Sequence, residues 1–171
     1  SSWDGGAIGI DDEGSVSLVC TQEFDFVISG NTARQFGGGI ALPNDYGVLT
    51  GLGGVRIQGN SASESGGGVL QHGGLVQLAG LPGSPFVVSS NRTDVHGGGI
   101  CAEEGALLRL VNVQIGAAGA GNVATNAGRS GGGLALLGAS TLQGTNLTFL
   151  DNRGNYSGGG LFVSNATASL L

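Results

Sequence analysis

Residues 31–42 read NTARQFGGGIAL. Three glycines, the least ordered of residues, stand directly against Ile40-Ala41-Leu42, a run with the look of a buried strand. The same juxtaposition recurs as Gly66-Gly67-Gly68-Val69, Gly97-Gly98-Gly99-Ile100, Gly131-Gly132-Gly133-Leu134 and Gly158-Gly159-Gly160-Leu161, with Gly5-Gly6-Ala7-Ile8 opening the chain. The intervals are 27 to 34 residues. A second motif travels with the first: Ile28-x-x-Asn31, Ile57-x-x-Asn60, Val88-x-x-Asn91, Val123-x-x-Asn126 and Phe149-x-x-Asn152. The Asn precedes the first Gly by six residues in four copies and by five at Asn126. Two motifs locked together five times mark a structural repeat.

Each repeat carries three apolar runs of period two, the mark of half-buried strands. The first follows the glycines (Ile8/Ile10, Ile40/Leu42, Ile100/Ala102, Leu134/Leu136, Leu161/Val163). The second comes after a polar turn (Val16/Leu18, Val48, Val76/Leu78, Leu108/Leu110, Leu142), and the third after a loop of variable length (Phe26/Ile28, Val55/Ile57, Phe86/Val88, Leu147/Phe149). No stretch shows a capped helical period. Three short strands in an approximately 30-residue repeat predict an all-β fold, a right-handed parallel β-helix of about six coils stacked at ~4.8 Å, forming a single domain over residues 1–171. The chain begins just before a glycine motif and ends inside a second run. It carries no amphipathic capping helix, so a segment of a longer rod, or a subunit that stacks end to end, is expected.

Composition narrows the function. Of 171 residues 37 are Gly and only 3 are Pro, with no Gly-X-Y period, so collagen is excluded. The net charge of −6, with Arg as the only cationic side chain besides two His, argues against nucleic acid as a partner. No apolar run approaches the ~20 residues of a membrane-spanning helix. Cys20 and Cys101 have no metal-binding spacing, and three coils between them is too far for a disulfide.

Gly5-Gly6-Ala7-Ile8 and Phe149-Leu150-Asp151-Asn152 are literal copies of the paired repeats GGA[ILV] and FxxN. Along nearly its whole length the chain resembles the chlamydial polymorphic outer-membrane protein family, whose repeats look to be shared by other surface proteins, algal ones included. The resemblance implies a surface-exposed right-handed β-helix with an adhesive role. It carries over no catalytic residue and no cofactor.

The candidate sites follow from the repeat. Asn31, Asn60, Asn91, Asn126 and Asn152 are expected to stack as a structural ladder at one corner. Gly37, Gly66, Gly97, Gly131 and Gly158 open the corner that enters the first strand. The outward positions of that strand, Ala41, Leu70, Cys101, Ala135 and Phe162, are small or apolar, and read as a packing face against a neighbouring chain rather than one covered by a folded-back loop. Acidic residues gather in the first turn at Asp11, Asp12, Glu13, Asp45, Glu103 and Glu104. His72-Gly73-Gly74 and Gly138-Ala139-Ser140 interrupt that stack, so a solvated turn is favoured over a Ca²⁺ site or a catalytic pair. Arg34, Arg92, Arg129 and Arg153 fall on one edge. A sparse Arg stripe could touch an anionic glycan, but a mixed, solvated edge is favoured, because Glu64 and Asp94 share it. Sequons occur at Asn91, Asn146, Asn155 and Asn165; the ladder withdraws Asn91, and Asn155 and Asn165 are the best placed for N-glycosylation.

These readings converge on a non-enzymatic, extracellular or cell-surface structural and adhesive element without cofactor. Its partners would be further copies, neighbouring chains of an assembly, or host or cell-surface ligands. The alternative is a polysaccharide-binding or polysaccharide-cleaving domain of pectin-lyase type.

Overall fold

A computed structural model describes residues 2–20, 26–125 and 131–171. Among them there is no helix, and hence none long and apolar enough to cross a membrane. Every strand pairing is parallel and joins one coil to the next, so the chain is a parallel β-helix. It makes about five turns, with a further one opened by Leu161–Ser164 and Thr167–Leu170.

Three sheets run along the rod. The first collects the strands that follow the glycines: Ile8–Gly9, Ile40–Leu42, Val69–His72, Ile100–Glu103, Leu134–Leu137 and Leu161–Ser164. The second holds both later apolar runs, which were expected as separate strands. In the lower coils they are distinct, as in Leu75–Ala79 and Phe86–Ser89; in the upper coils they fuse into Leu107–Ile115 and Thr141–Phe149. The fused strands bend at Asn112 and Asn146, whose φ values are 51° and 52°. Asn tolerates that left-handed backbone better than other side chains with a Cβ. A third sheet, not anticipated from sequence, follows the Asn corner with Thr32–Phe36, Ser61–Ala62, Arg92–Thr93, Val123–Ala124 and Arg153–Gly154, preceded by Ser2–Asp4.

The core lies inside the coil. Ile40, Leu42, Leu49, Ile57, Leu78, Phe86, Ile100, Leu108, Leu110 and Ile115 are fully buried, each contributing about 1.5–3 kcal/mol by removal from water. The inward residue of the second run in its second copy is Leu49, in register with Val16 and Val76, rather than Val48. Gln71 replaces an apolar residue in this core; its Nε2 donates to the carbonyls of Gly74 at 3.0 Å and Leu107 at 2.9 Å, tying a turn to the next coil.

Candidate functional site

The Asn corner is the most highly organised polar feature. Nδ2 and the backbone N–H of Asn60 both donate to Oδ1 of Asn91, at 3.0 Å each. Asn91 repeats the pair toward Asn122, both at 3.0 Å, and Asn122 toward Asn152 at 2.9 and 3.0 Å. Asn31 donates in the same way to Asn60. Beyond Asn31, whose Nδ2 also donates to the Ser29 carbonyl of its own coil, each Nδ2 donates to the carbonyl of the apolar residue that ends the run one coil earlier. Asn60 thus reaches Ile28, Asn91 reaches Ile57, Asn122 reaches Val88, and Asn152 reaches Ile115. The spacing of apolar residue and Asn therefore has a physical basis, since the first supplies the acceptor for the second one coil on. Asn60, Asn91 and Asn122 are essentially inaccessible to solvent, and each amide there makes four hydrogen bonds, which removes the cost of burying it.

The ladder position of the fourth coil belongs to Asn122, a correction to the expectation of Asn126, which lies outside the described residues. The run of that coil ends at Ile115, in register with Val88 and Phe149. Residues 116–121, six where the other coils have two, delay the Asn, and Val123, the apparent start of the motif, instead pairs with Arg92 and Arg153 in the third sheet.

The glycine corner rests on the ladder. Gly66 has φ +66°, the left-handed region that a Cβ disfavours, and turns the chain into Val69–His72. At Gly68 the backbone lies so close to the next coil that a Cβ would stand 2.6 Å from the Gly99 carbonyl oxygen and 2.9 Å from Nδ2 of Asn91. Gly37, Gly97 and Gly158 take the same left-handed turn as Gly66, and Gly131 has a more open positive φ of 113°. The two motifs travel together because the third glycine of one coil packs on the Asn of the next.

The expected packing face is closed within the chain. Ala41, Cys101 and Ala135 have no exposed surface and Leu70 only 2%. Leu70, Cys101, Ala135 and Leu137 form a second apolar cluster onto which Phe36 and the half-buried Phe162 pack. The returning segments that hold Phe36, Ser65 and His96 pair with one another in parallel. Ser65 reaches the Cys101 thiol through its side chain. The folded-back cover is thus the arrangement present over these positions, and the reading of a face open to a neighbouring chain is corrected. Burial pushes the Cys101 thiol well above its ordinary pKa, and the carboxylate of Glu103 adds to the rise, while the Ser65 hydrogen bond opposes it. Glu103 Oε1 also lies 3.5 Å from Nδ1 of His72 on the adjacent coil. Neither Cys20 nor Cys101 forms a disulfide.

The acidic first turn is dispersed over several coils. Asp11 Oδ1 accepts from Nδ2 of Asn44 at 2.8 Å. Among the described residues no three His, Cys, Asp or Glu side chains gather so as to hold a metal ion. The sequons separate by burial. Asn91 is inside the ladder, whereas Asn146, Asn155 and Asn165 are exposed; Asn146 donates to Asn112 Oδ1 and Asn155 to the Thr125 carbonyl, both at 3.1 Å.

Concavities lie on outward sheet faces. One of about 600 Å³ sits on the second sheet, walled by Gly83, Ser84 and Pro85 and floored by Arg56, Val87 and Gln114. Two others adjoin along the third sheet, about 390 and 220 Å³, with Arg92 lining both.

No family model, no curated protein and no solved structure matches this chain. The class is the one its own geometry defines, a parallel β-solenoid with a buried Asn ladder.

Proposed function

We propose that the chain is a non-enzymatic structural and adhesive element of the cell exterior, a stretch of rod in a surface fibre. The observation that supports this most is the use made of the repeated residues. The ladder amides direct their hydrogen bonds to neighbouring coils, and the third glycine exists to let them do so. Selection acting on such residues acts on the rod itself, and a rigid, regularly spaced surface is what a fibre or an adhesive stalk needs. Function on such a scaffold lies in its outward faces, since fold alone does not specify activity. Partners of this reading are neighbouring chains of the assembly, or ligands on a cell or host surface, and no cofactor takes part.

Immunogold labelling of intact cells that produce the protein, with negative-stain imaging of the purified chain, tests the proposal. Label on the outer surface and short rods are expected. Label confined to the cell interior would overturn it, as would release of new reducing ends from pectin or alginate by the purified chain.

A further inference from the structure

Thr32, Ser61, Arg92, Val123 and Arg153 stand in one register column of the third sheet. Arg92 and Arg153 are exposed and two coils apart, about 10 Å along the rod axis. Beside them the inward column is small: Ala33, Ala62, Thr93 and Ala124. The backbone there forms the floor of a trough, with Ser63, Asp94, Thr125 and Asn155 along its other bank. Two adjoining reaches, together spanning several coils, meet at Arg92. Asp94 is the only carboxylate among the described lining residues, and it accepts from the Thr125 hydroxyl at 2.9 Å. The lining thus has two guanidinium groups against one carboxylate, in a chain whose net charge is −6.

We propose that this trough holds a linear anionic glycan laid along the rod, its carboxylate or sulfate groups on Arg92 and Arg153 and its hydroxyls on Thr32, Ser61, Ser63 and Thr125. The proposal rests on the adhesive reading above and names its ligand class. Guanidinium groups match both kinds of oxyanion with paired hydrogen bonds. Thr125 gives its proton to Asp94 and so accepts from sugar hydroxyls, while Thr32 and Ser61, bonded to each other at 3.2 Å, keep one proton and their remaining lone pairs for them. An elongated shape along the axis suits a polymer better than a compact metabolite. A peptide strand fits less well, because the trough floor is a sheet face whose backbone groups are already committed to adjacent coils. The larger concavity on the second sheet has a single charged side chain, Arg56, among its described lining residues.

Isothermal titration calorimetry on the 171-residue chain tests this with four probes of matched length: oligogalacturonate, a sulfated galactan oligosaccharide, a neutral cello-oligosaccharide and a polyglutamate peptide. One or both anionic glycans bind, more weakly as salt rises, and their relative affinity distinguishes carboxylate from sulfate. R92Q and R153Q each lower that affinity about tenfold, as expected for loss of a charge-assisted hydrogen bond. R109Q, which removes an exposed guanidinium on the second sheet, leaves it unchanged, and circular dichroism confirms that all three variants fold. Absence of glycan binding, tighter binding of polyglutamate, or an equal loss in R109Q would overturn the assignment. Such a result leaves the surface-rod reading standing, since that reading fails on cell labelling rather than on glycan affinity.

Discussion

Asn60 and Asn91 share one oxygen: Oδ1 of Asn91 accepts both the backbone N–H and the side-chain Nδ2 of Asn60, at 3.0 Å each. With the Asn91 Nδ2 bond to the Ile57 carbonyl at 2.9 Å, a single amide closes three buried polar groups belonging to an adjacent coil. Asn91→Ala removes the Asn91 bond from all three in a dry corner, leaving the Asn60 Nδ2 only its bond to the Ile28 carbonyl, and is expected to cost about 3 kcal/mol or more. Asn31, at the partly exposed end of the file, should cost about 1 kcal/mol when changed to Ala. Urea unfolding of the two variants checks the gradient; equal losses would mean that the ladder does not act through burial.

The third glycine of each triplet should be intolerant in proportion to its proximity to the ladder. Gly68→Ala places a Cβ 2.9 Å from the Asn91 amide, and a loss of about 2 kcal/mol is expected from displaced backbone. Gly9, with nothing within 4 Å of an added Cβ, should accept Ala within about 0.5 kcal/mol. Thermal melts of the pair decide the matter.

Gly51 and Phe86 are complementary in volume. Gly51 occupies an inward position in register with Leu18 and Leu78, and a Cβ there would lie 2.5 Å from Cε2 of the fully buried Phe86. Gly51→Ala should destabilise by about 1–3 kcal/mol through overpacking. In the Phe86→Leu background the same change should cost less, giving a coupling of about 1 kcal/mol in a double-mutant cycle. Strict additivity would show that the ring does not occupy the space that Gly51 leaves.

The Cys101 thiol makes stability fall in alkali. Its folded pKa is raised, chiefly by burial and then by Glu103, so above about pH 8.5 the unfolded chain releases a proton that the folded chain retains. The unfolded state then binds fewer protons, and by linkage the unfolding free energy decreases as pH rises. The stabilising contribution is fully present below the unfolded pKa and is lost as pH rises toward the folded one. Cys101→Ala should flatten that slope between pH 8 and about 10, measured by denaturant midpoints; an unchanged slope would count against a buried neutral thiol.

In a host that N-glycosylates, the sequons should divide by geometry. Asn165 sits exposed in a turn at φ 52° with Thr167 exposed beside it, and should carry glycan. Asn91, wholly buried and hydrogen-bonded on both amide atoms, should carry none. Glycopeptide mass spectrometry reads both occupancies, and a glycan at Asn91 in folded protein would be incompatible with the ladder.

Much of the fold was legible because its markers are local. A glycine triplet and an Asn six residues ahead of it lie in one short window, and their recurrence announces a coil whatever the loops do. What escaped was set by the third dimension. The strands of the third sheet include pairs such as Ser61–Ala62 and Arg92–Thr93, too short for alternation to be read. Asn122 was displaced from the expected offset by residues 116–121, while Val123 offered a false copy of the motif. The burial of Ala41, Leu70, Cys101 and Ala135 depends on segments that return over them, which no alternation within the strand can reveal. The alignment of Arg92 with Arg153 was obscured by the unequal lengths of the intervening coils, because a register column appears only once insertions are assigned to their loops.

Side-chain amide exchange, followed by NMR on protein labelled with ¹⁵N at asparagine, tests the central claim most directly. The Nδ2 protons of Asn60, Asn91 and Asn122 should be protected together and exchange only through opening of the rod, because each is buried and doubly bonded. Exchange of these three amides at the rate of the exposed Asn165 would contradict it.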